Sequence, residues 1–249
     1  MRNVLSKSAA DIYAEWDMLA PIRLRQIESG QDLTFNHVLS PAIHKLAEVK
    51  SGPVLDLGCG VGVMAEEFSR LGWDVIGIDP SRVSISLARQ VSSGQVDYES
   101  YSAEEYASKS KKKFPTIVSN MVLMDTIDLH GFMQAVAALL KRGGAFVFSI
   151  THPCFWPEYY GYSDAEWFEY NKEIIVESPF RISNQQDCRL NSTHVHRPLE
   201  QYVKAIVDAG LSLEALIEPF PPETIRKLYP RPWKYPRYLV GRCRLPKKI

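Results

Sequence analysis

The sequence predicts an α/β protein with a parallel sheet covered on both faces by helices, and three observations carry that expectation. Five short strand-like runs recur between residues 52 and 150, at Val54–Leu57, Val75–Ile78, Val96–Glu99, Thr116–Ser119 and Ala145–Ile150. Segments of helical period separate them: Val61, Met64, Ala65 and Phe68 fall at the i, i+3, i+4, i+7 spacing of one helix face. The first run, "VLDL", passes directly into "GCGVG", with a glycine at every second position. Short strands alternating with helices imply right-handed βαβ units, wound to both sides of one sheet.

Residues 1–50 precede this rhythm. Ile12, Trp16 and Leu19, and then His37–Leu46, predict two helices that form a cap, packed on the sheet edge or closed over the site. Within the core, residues 51–150, Gly72 sits where a helix ends before the second strand. Phe132, Met133, Val136, Ala137 and Leu140 repeat the helical period ahead of the fifth strand, and "KSKKK" (Lys109–Lys113) reads as a solvated loop. Residues 151–196 have no clean period and form an insertion after the fifth strand. Its segment Phe155–Tyr170 holds 8 of the chain's 27 aromatic residues. From residue 197 to 249, Leu199, Tyr202, Val203 and Ile206 predict an amphipathic helix ended by Gly210. Strands follow at Leu211–Ile217 and Tyr238–Cys243, joined by a linker (219–236) with six prolines. The whole reads as one domain in these four parts.

Bulk properties narrow the function. The chain has 249 residues, 45% of them hydrophobic and 23% charged, as in an ordinary globular protein. Its formal net charge is zero, so a nucleic-acid backbone would feel no long-range attraction. No secretory signal opens the sequence, and the apolar run Ala135–Leu140 is far too short to span a bilayer. The four cysteines are widely spaced, which fits a reducing compartment and predicts no metal site. A cytoplasmic protein without nucleic-acid or membrane partners is the expectation.

The glycine turn then poses a chemical choice. A dinucleotide fingerprint needs G-x-G-x-x-G, but after Gly58 and Gly60 the third position falls on Val63. Asp56 precedes the turn by two residues, where a carboxylate would repel a pyrophosphate and attract a cation. No Gly-Lys-Ser/Thr follows, so the turn is no P-loop. The second strand ends in Asp79, placed to accept hydrogen bonds from unphosphorylated ribose hydroxyls. S-adenosylmethionine offers both a free ribose and positive charge.

The segments "VLDLGCGVGVMAEEF" and "WDVIGIDPS" resemble the first two motifs of the class I S-adenosylmethionine-dependent methyltransferases. "YSAEEY", "FPTIVSNMVLMD" and "KRGGAFVFSI" are similar to the segments that follow in that family, in the same order. The resemblance implies a Rossmann-like, doubly wound, mostly parallel seven-stranded sheet with an antiparallel last strand. It also implies cofactor contacts at Gly58, Cys59, Gly60, Asp79, Pro80, Ser81, Ala103, Glu104, Asn120 and Met121. Similar methyltransferases cover the cofactor's methionine end with an N-terminal aromatic, for which Tyr13 and Trp16 are candidates; Asp56 joins the set on electrostatic grounds.

Methyl transfer from a sulfonium needs positioning and water exclusion more than acid–base help. His152, just past the fifth strand, is the candidate catalytic residue, as a base or a positioning group. Phe155, Trp156, Tyr159 and Tyr160 are candidate substrate-binding residues in a lid, and His194 and His196 read as structural or rim residues. The fourth motif, "SNMVLM", lacks the Asn-Pro-Pro-Tyr of base and glutamine methylation. The expectation is in-line transfer to a small organic acceptor, a natural product or metabolite. The alternatives are a protein or RNA acceptor, a binding module without catalysis, and a nicotinamide-dependent oxidoreductase.

Overall fold

The computed structural model describes residues 1–182 and 188–247; residues 183–187 of the expected insertion and the last two residues lie outside them. The elements run in order β1 (Arg2–Val4), α1 (Ala9–Glu28), a π-helical turn (Phe35–Leu39) leading into α2 (Ser40–Ala47), β2 (Val54–Leu57), α3 (Val63–Arg70), β3 (Val75–Ile78) and α4 (Arg82–Val91). They continue with β4 (Val96–Glu99), α5 (Ala103–Lys109), β5 (Phe114–Asn120), α6 (Leu129–Leu139), β6 (Leu140–Thr151) and α7 (Trp156–Tyr160). The chain ends with β7 (Ile174–Pro179), β8 (Asn191–His196), α8 (Leu199–Asp208), β9 (Ser212–Ile217), α9 (Glu223–Arg226) and β10 (Tyr238–Arg244).

Seven strands form one sheet in the order β4-β3-β2-β5-β6-β10-β9. The first five pair in parallel, and β10 runs antiparallel to both β6 and β9. Alternation along the central strands splits the core between two faces. Ile117, Phe146 and Phe148 point to the side of α6 and α8, while Val118 and Val147 point to the side of α2 and α3. All of β2 and β3 is buried, which is why they read as unbroken apolar runs.

The N-terminal cap is longer than the expected pair of helices. Ser8 and Asp11 form a reciprocal capping box that starts α1, and the helix runs for 20 residues. The insertion also holds order that its sequence does not announce. β7 and β8 form an antiparallel hairpin, and β1 adds to β7 as a third strand, pairing Asn3 with Val176. This small sheet is fixed by Lys7, whose ammonium bonds Glu15 of α1, Glu177 of β7 (3.1 Å) and Thr193 of β8 (2.7 Å). One face of β7 is buried on Tyr162, flanked by Trp156, Tyr160, Trp167 and Phe168. Many of the aromatic residues thus pack a second, smaller core.

Candidate functional site

β2 lies between β3 and β5, so the winding direction of the sheet reverses there. Ligands of open α/β sheets sit beyond the carboxyl ends of the strands at such a reversal. A cavity of about 360 Å³ opens at that point and runs under α1 towards α7 and the β7–β8 hairpin.

The glycine turn forms its floor. Gly58 has φ +75°, and a Cβ built on it would stand 2.4 Å from Val122 Cγ2, so close packing of the turn on the β5 loop requires glycine. Gly60, at φ +54°, has no atom within 4 Å of such a Cβ, because its open side faces the cavity. A ligand can therefore touch backbone there.

Two carboxylates border this turn. Asp56 is 1% exposed, lines the cavity, and neither of its oxygens has a well-formed hydrogen bond among the described residues. Burial, reinforced by Asp79, pushes its carboxyl up to about 8. An orphaned buried acid beside open space is the complement of a cationic group. Asp79 accepts hydrogen bonds from Gly60 N (2.9 Å) and Ser81 N (2.8 Å), and burial raises it to about 6. Each of its oxygens keeps a lone pair for a further donor. The residues present thus fit S-adenosylmethionine: a cation sink at Asp56, an acceptor pair at Asp79, and exposed backbone between them.

Around these, Tyr13, Cys59, Pro80, Ala103, Glu104, Asn120 and Met121 all line the cavity. Asn120 is oriented by Ser149, whose hydroxyl donates to its Oδ1 at 2.7 Å. Met121 takes φ +60°, a strained conformation for a side chain of its size, held by Ser149 accepting from its N–H at 3.0 Å. Trp156, Tyr159 and Tyr160 form the opposite wall.

Three sequence candidates stand elsewhere. His152 is 3% exposed and is not in the cavity wall; its Nε2 lies 2.8 Å from Glu218 and its Nδ1 accepts from Cys154 N. The reason is strand alternation: Thr151 faces the cavity, so the next residue faces away. His152, the catalytic candidate, therefore stands outside the cavity wall, turned to Glu218. Phe155 likewise turns outward, stacked on Tyr235 with centroids 5.1 Å apart. Ser81 is fully buried behind Asp79, capping α4 through Ser84 N and donating to Asp17 at 2.6 Å.

The structure adds Asp125 and Arg237 to the cavity wall and brings in Trp16, expected as a cover for the cofactor, and His194, expected as a structural or rim residue. Trp16 Nε1 donates to Asp125 Oδ2 at 3.2 Å, and burial holds that carboxyl well above its ordinary range. His194 projects from β8 with Nε2 at 3.2 Å from the Tyr162 hydroxyl, and burial pulls its imidazole down to about 3. The alternation of His194 and His196 was a strand signal, but the wall they would face was invisible without the hairpin. Arg237 enters from the start of β10. Among the described residues no group of three or more His, Cys, Asp or Glu is placed to hold a metal ion.

Comparison with known proteins agrees with this geometry. Residues 31–215 match the methyltransferase domain family. A ubiquinone biosynthesis O-methyltransferase of Xanthomonas euvesicatoria pv. vesicatoria (strain 85-10) is 31% identical over 154 residues, which span 59% of this chain and 64% of that protein. The mitochondrial ubiquinone biosynthesis O-methyltransferase of Homo sapiens is 36% identical over 98 residues, 37% of this chain and 27% of that one. The similarity thus covers less than two thirds of each relative's own length. The crystal structure of an S-adenosylmethionine-dependent methyltransferase from Mesorhizobium loti shares the fold, with TM-score 0.61, 22% identity, and coverage of 82% of this chain and 96% of that one. With the family match extending over most of the sheet, the chain belongs to the methyltransferase domain family, within the class I S-adenosylmethionine-dependent methyltransferases.

Proposed function

We propose that this chain transfers the methyl group of S-adenosylmethionine to a hydroxyl group of a small, ring-bearing organic acceptor. One observation carries the reading: a single cavity joins the glycine turn to a wall of aromatic rings beneath α1. The bound cofactor supplies a methyl group on a sulfonium sulfur, a leaving group already activated. Asp56 balances the positive charge and Asp79 accepts from ribose hydroxyls. Ala103 and Glu104, at the start of α5, border the space for the base.

On the other side, Trp156, Tyr159 and Tyr160 pack against a flat acceptor and exclude water. His194 supplies a neutral imidazole in the wall. Its Nδ1 has no hydrogen-bond partner among the described residues; in the tautomer whose Nε2–H donates to the Tyr162 hydroxyl, Nδ1 is free to accept from the acceptor hydroxyl. The ubiquinone relatives, named as O-methyltransferases, favour oxygen as the receiving atom.

The test is incubation with cofactor labelled in its methyl group, against a panel of phenols and catechols and against cell extract separated into small-molecule, protein and RNA fractions. Label should enter the small molecules. Label confined to protein or RNA would replace the acceptor class, and tight cofactor binding with no transfer would favour a binding module. His194→Ala should lower turnover while cofactor affinity stays within about twofold.

A further inference from the structure

The cavity is polarised. At its glycine end stand acceptors without well-formed hydrogen bonds among the described residues, the two oxygens of Asp56. At its β10 end the imbalance is reversed. Arg237 is 4% exposed and lines the cavity, yet no carboxylate pairs with it among the described residues. Its Nη2 donates to the carbonyls of Arg231 (2.8 Å) and Pro232 (3.3 Å), and its guanidinium stacks 3.7 Å from the Tyr159 ring centroid and 4.6 Å from that of Trp233. These contacts spend two donor interactions and leave the net charge uncompensated. Arg231, a second guanidinium in the cavity wall, also makes no ion pair among the described residues. Asp32 lines the cavity too, but it is committed to Arg23 at 2.8 Å and to Phe35 N at 2.9 Å.

A second observation points the same way. The indole N–H groups of Trp156 and Trp233 are buried without a partner. Trp156 lines the cavity and packs 5.6 Å from Tyr238, next to Arg237 at the start of β10, whereas Trp233 packs 5.8 Å from the same ring but is not part of the cavity wall. A cavity wall that holds a buried cation and an orphan donor side by side, without an ion-pair partner among the described residues, is short of an anion there.

The sheet order says whose anion it is. The cofactor site lies at the β2–β5 reversal, and β10 is two strands further along the sheet from β5. At about 4.8 Å per strand, that places Arg237 roughly 10 Å to the acceptor side.

We propose that the acceptor carries an oxyanion group, a carboxylate or a phosphate ester, held by Arg237 and Arg231 with the indole N–H group of Trp156. The inference rests on the reading of the aromatic half of the cavity as the acceptor's place. Arg237 is the fixed part of this subsite, since stacking and two carbonyls orient it. Arg231, exposed at the mouth, is the part that meets an incoming anion first.

The test is calorimetric titration of the chain loaded with S-adenosylhomocysteine. The probes are 3,4-dihydroxybenzoate, phenyl phosphate, catechol and inorganic phosphate. One of the two ring-borne anions should bind about tenfold or more tightly than catechol. Arg231→Ala should remove most of that preference, whereas Lys227→Ala, a charge loss elsewhere in the same linker, should not. Equal or undetectable binding of all four probes overturns the proposal. Inorganic phosphate binding as tightly as the ring-borne anions also overturns it, since the site would then hold a free ion. So does Arg231→Ala weakening S-adenosylmethionine as much as the acid, because the charge would then serve the cofactor's own carboxylate. If Arg231→Ala fails to fold, the comparison of acid with catechol in the unaltered chain decides. Methylation of catechol without any binding of the anions would sink this inference and leave the proposed function standing. Binding of the anions with no transfer to any acceptor would do the reverse.

Discussion

A buried carboxylate with neither oxygen in a well-formed hydrogen bond is costly to keep, and Asp56 is such a group among the described residues. Its carboxyl titrates at about 8 in the folded chain against an ordinary 3.8, because burial and then Asp79 disfavour the anion. An acid raised on folding retains a proton that the unfolded chain has lost. Between those two values the ligand-free protein should therefore become less stable as the pH rises. Melting curves from pH 5 to 8 should show the decline, and Asp56→Asn should flatten it. A cation placed beside Asp56 favours the ionised form, so cofactor binding at pH 7 should release a proton. Calorimetry in two buffers of different ionisation enthalpy reads that proton directly. If Asp79 accepts from the ribose as proposed, Asp79→Ala should weaken cofactor binding about ten- to a hundredfold through loss of a charge-assisted contact of about 1.5–3 kcal/mol. His152 gives the contrasting expectation. With its ring turned to Glu218 and outside the cavity wall, His152→Ala should lower the melting temperature but leave the pH profile of turnover unchanged.

At the scale of elements, the glycine turn separates two demands that one motif hides. Gly58→Ala would drive a Cβ into Val122 at 2.4 Å from a backbone already at φ +75°, so folding should suffer. Gly60→Ala meets open space; it should cost the fold only about 1–2 kcal/mol from its positive φ, while cofactor binding falls more steeply. Thermal melts and titrations on the two variants distinguish structure from ligand approach. The cap has its own keystone in Lys7, the ammonium shared by α1, β7 and β8. Lys7→Ala leaves Glu15, 8% exposed, without its cation. A loss of about 1–3 kcal/mol is expected, with faster hydrogen exchange in α1, β7 and β8 than in β2 or β5.

At the scale of the molecule, the sheet strands announced themselves because each carries its own signal. β2, β3 and β4 have the bounds that their apolar runs gave, and β5 and β6 merely extend further. β2 and β3, buried on both faces, need no partner to be recognised, and β4 alternates with the period of an edge strand. The β7–β8 hairpin was not legible, since its aromatic neighbours break any simple period and its third strand comes from residues 2–4, far away in sequence. The cofactor half of the site shared the legibility of the sheet, because its residues follow the strands at fixed offsets. The acceptor half did not, because it is assembled from α1, β8 and the start of β10.

What the sequence alone determined, then, was the doubly wound sheet, the glycine turn between two acids, and the kind of cofactor that such a turn can hold. These are local facts: periodicity, a turn requiring glycine, and a charge at a set distance from it. Only the tertiary structure decided which imidazole faces the cavity and where the unpaired guanidinium lies. A strand's alternation fixes that successive side chains diverge, but which of them meets the ligand depends on what packs against each face. His194 lines the cavity and His152 does not for that reason.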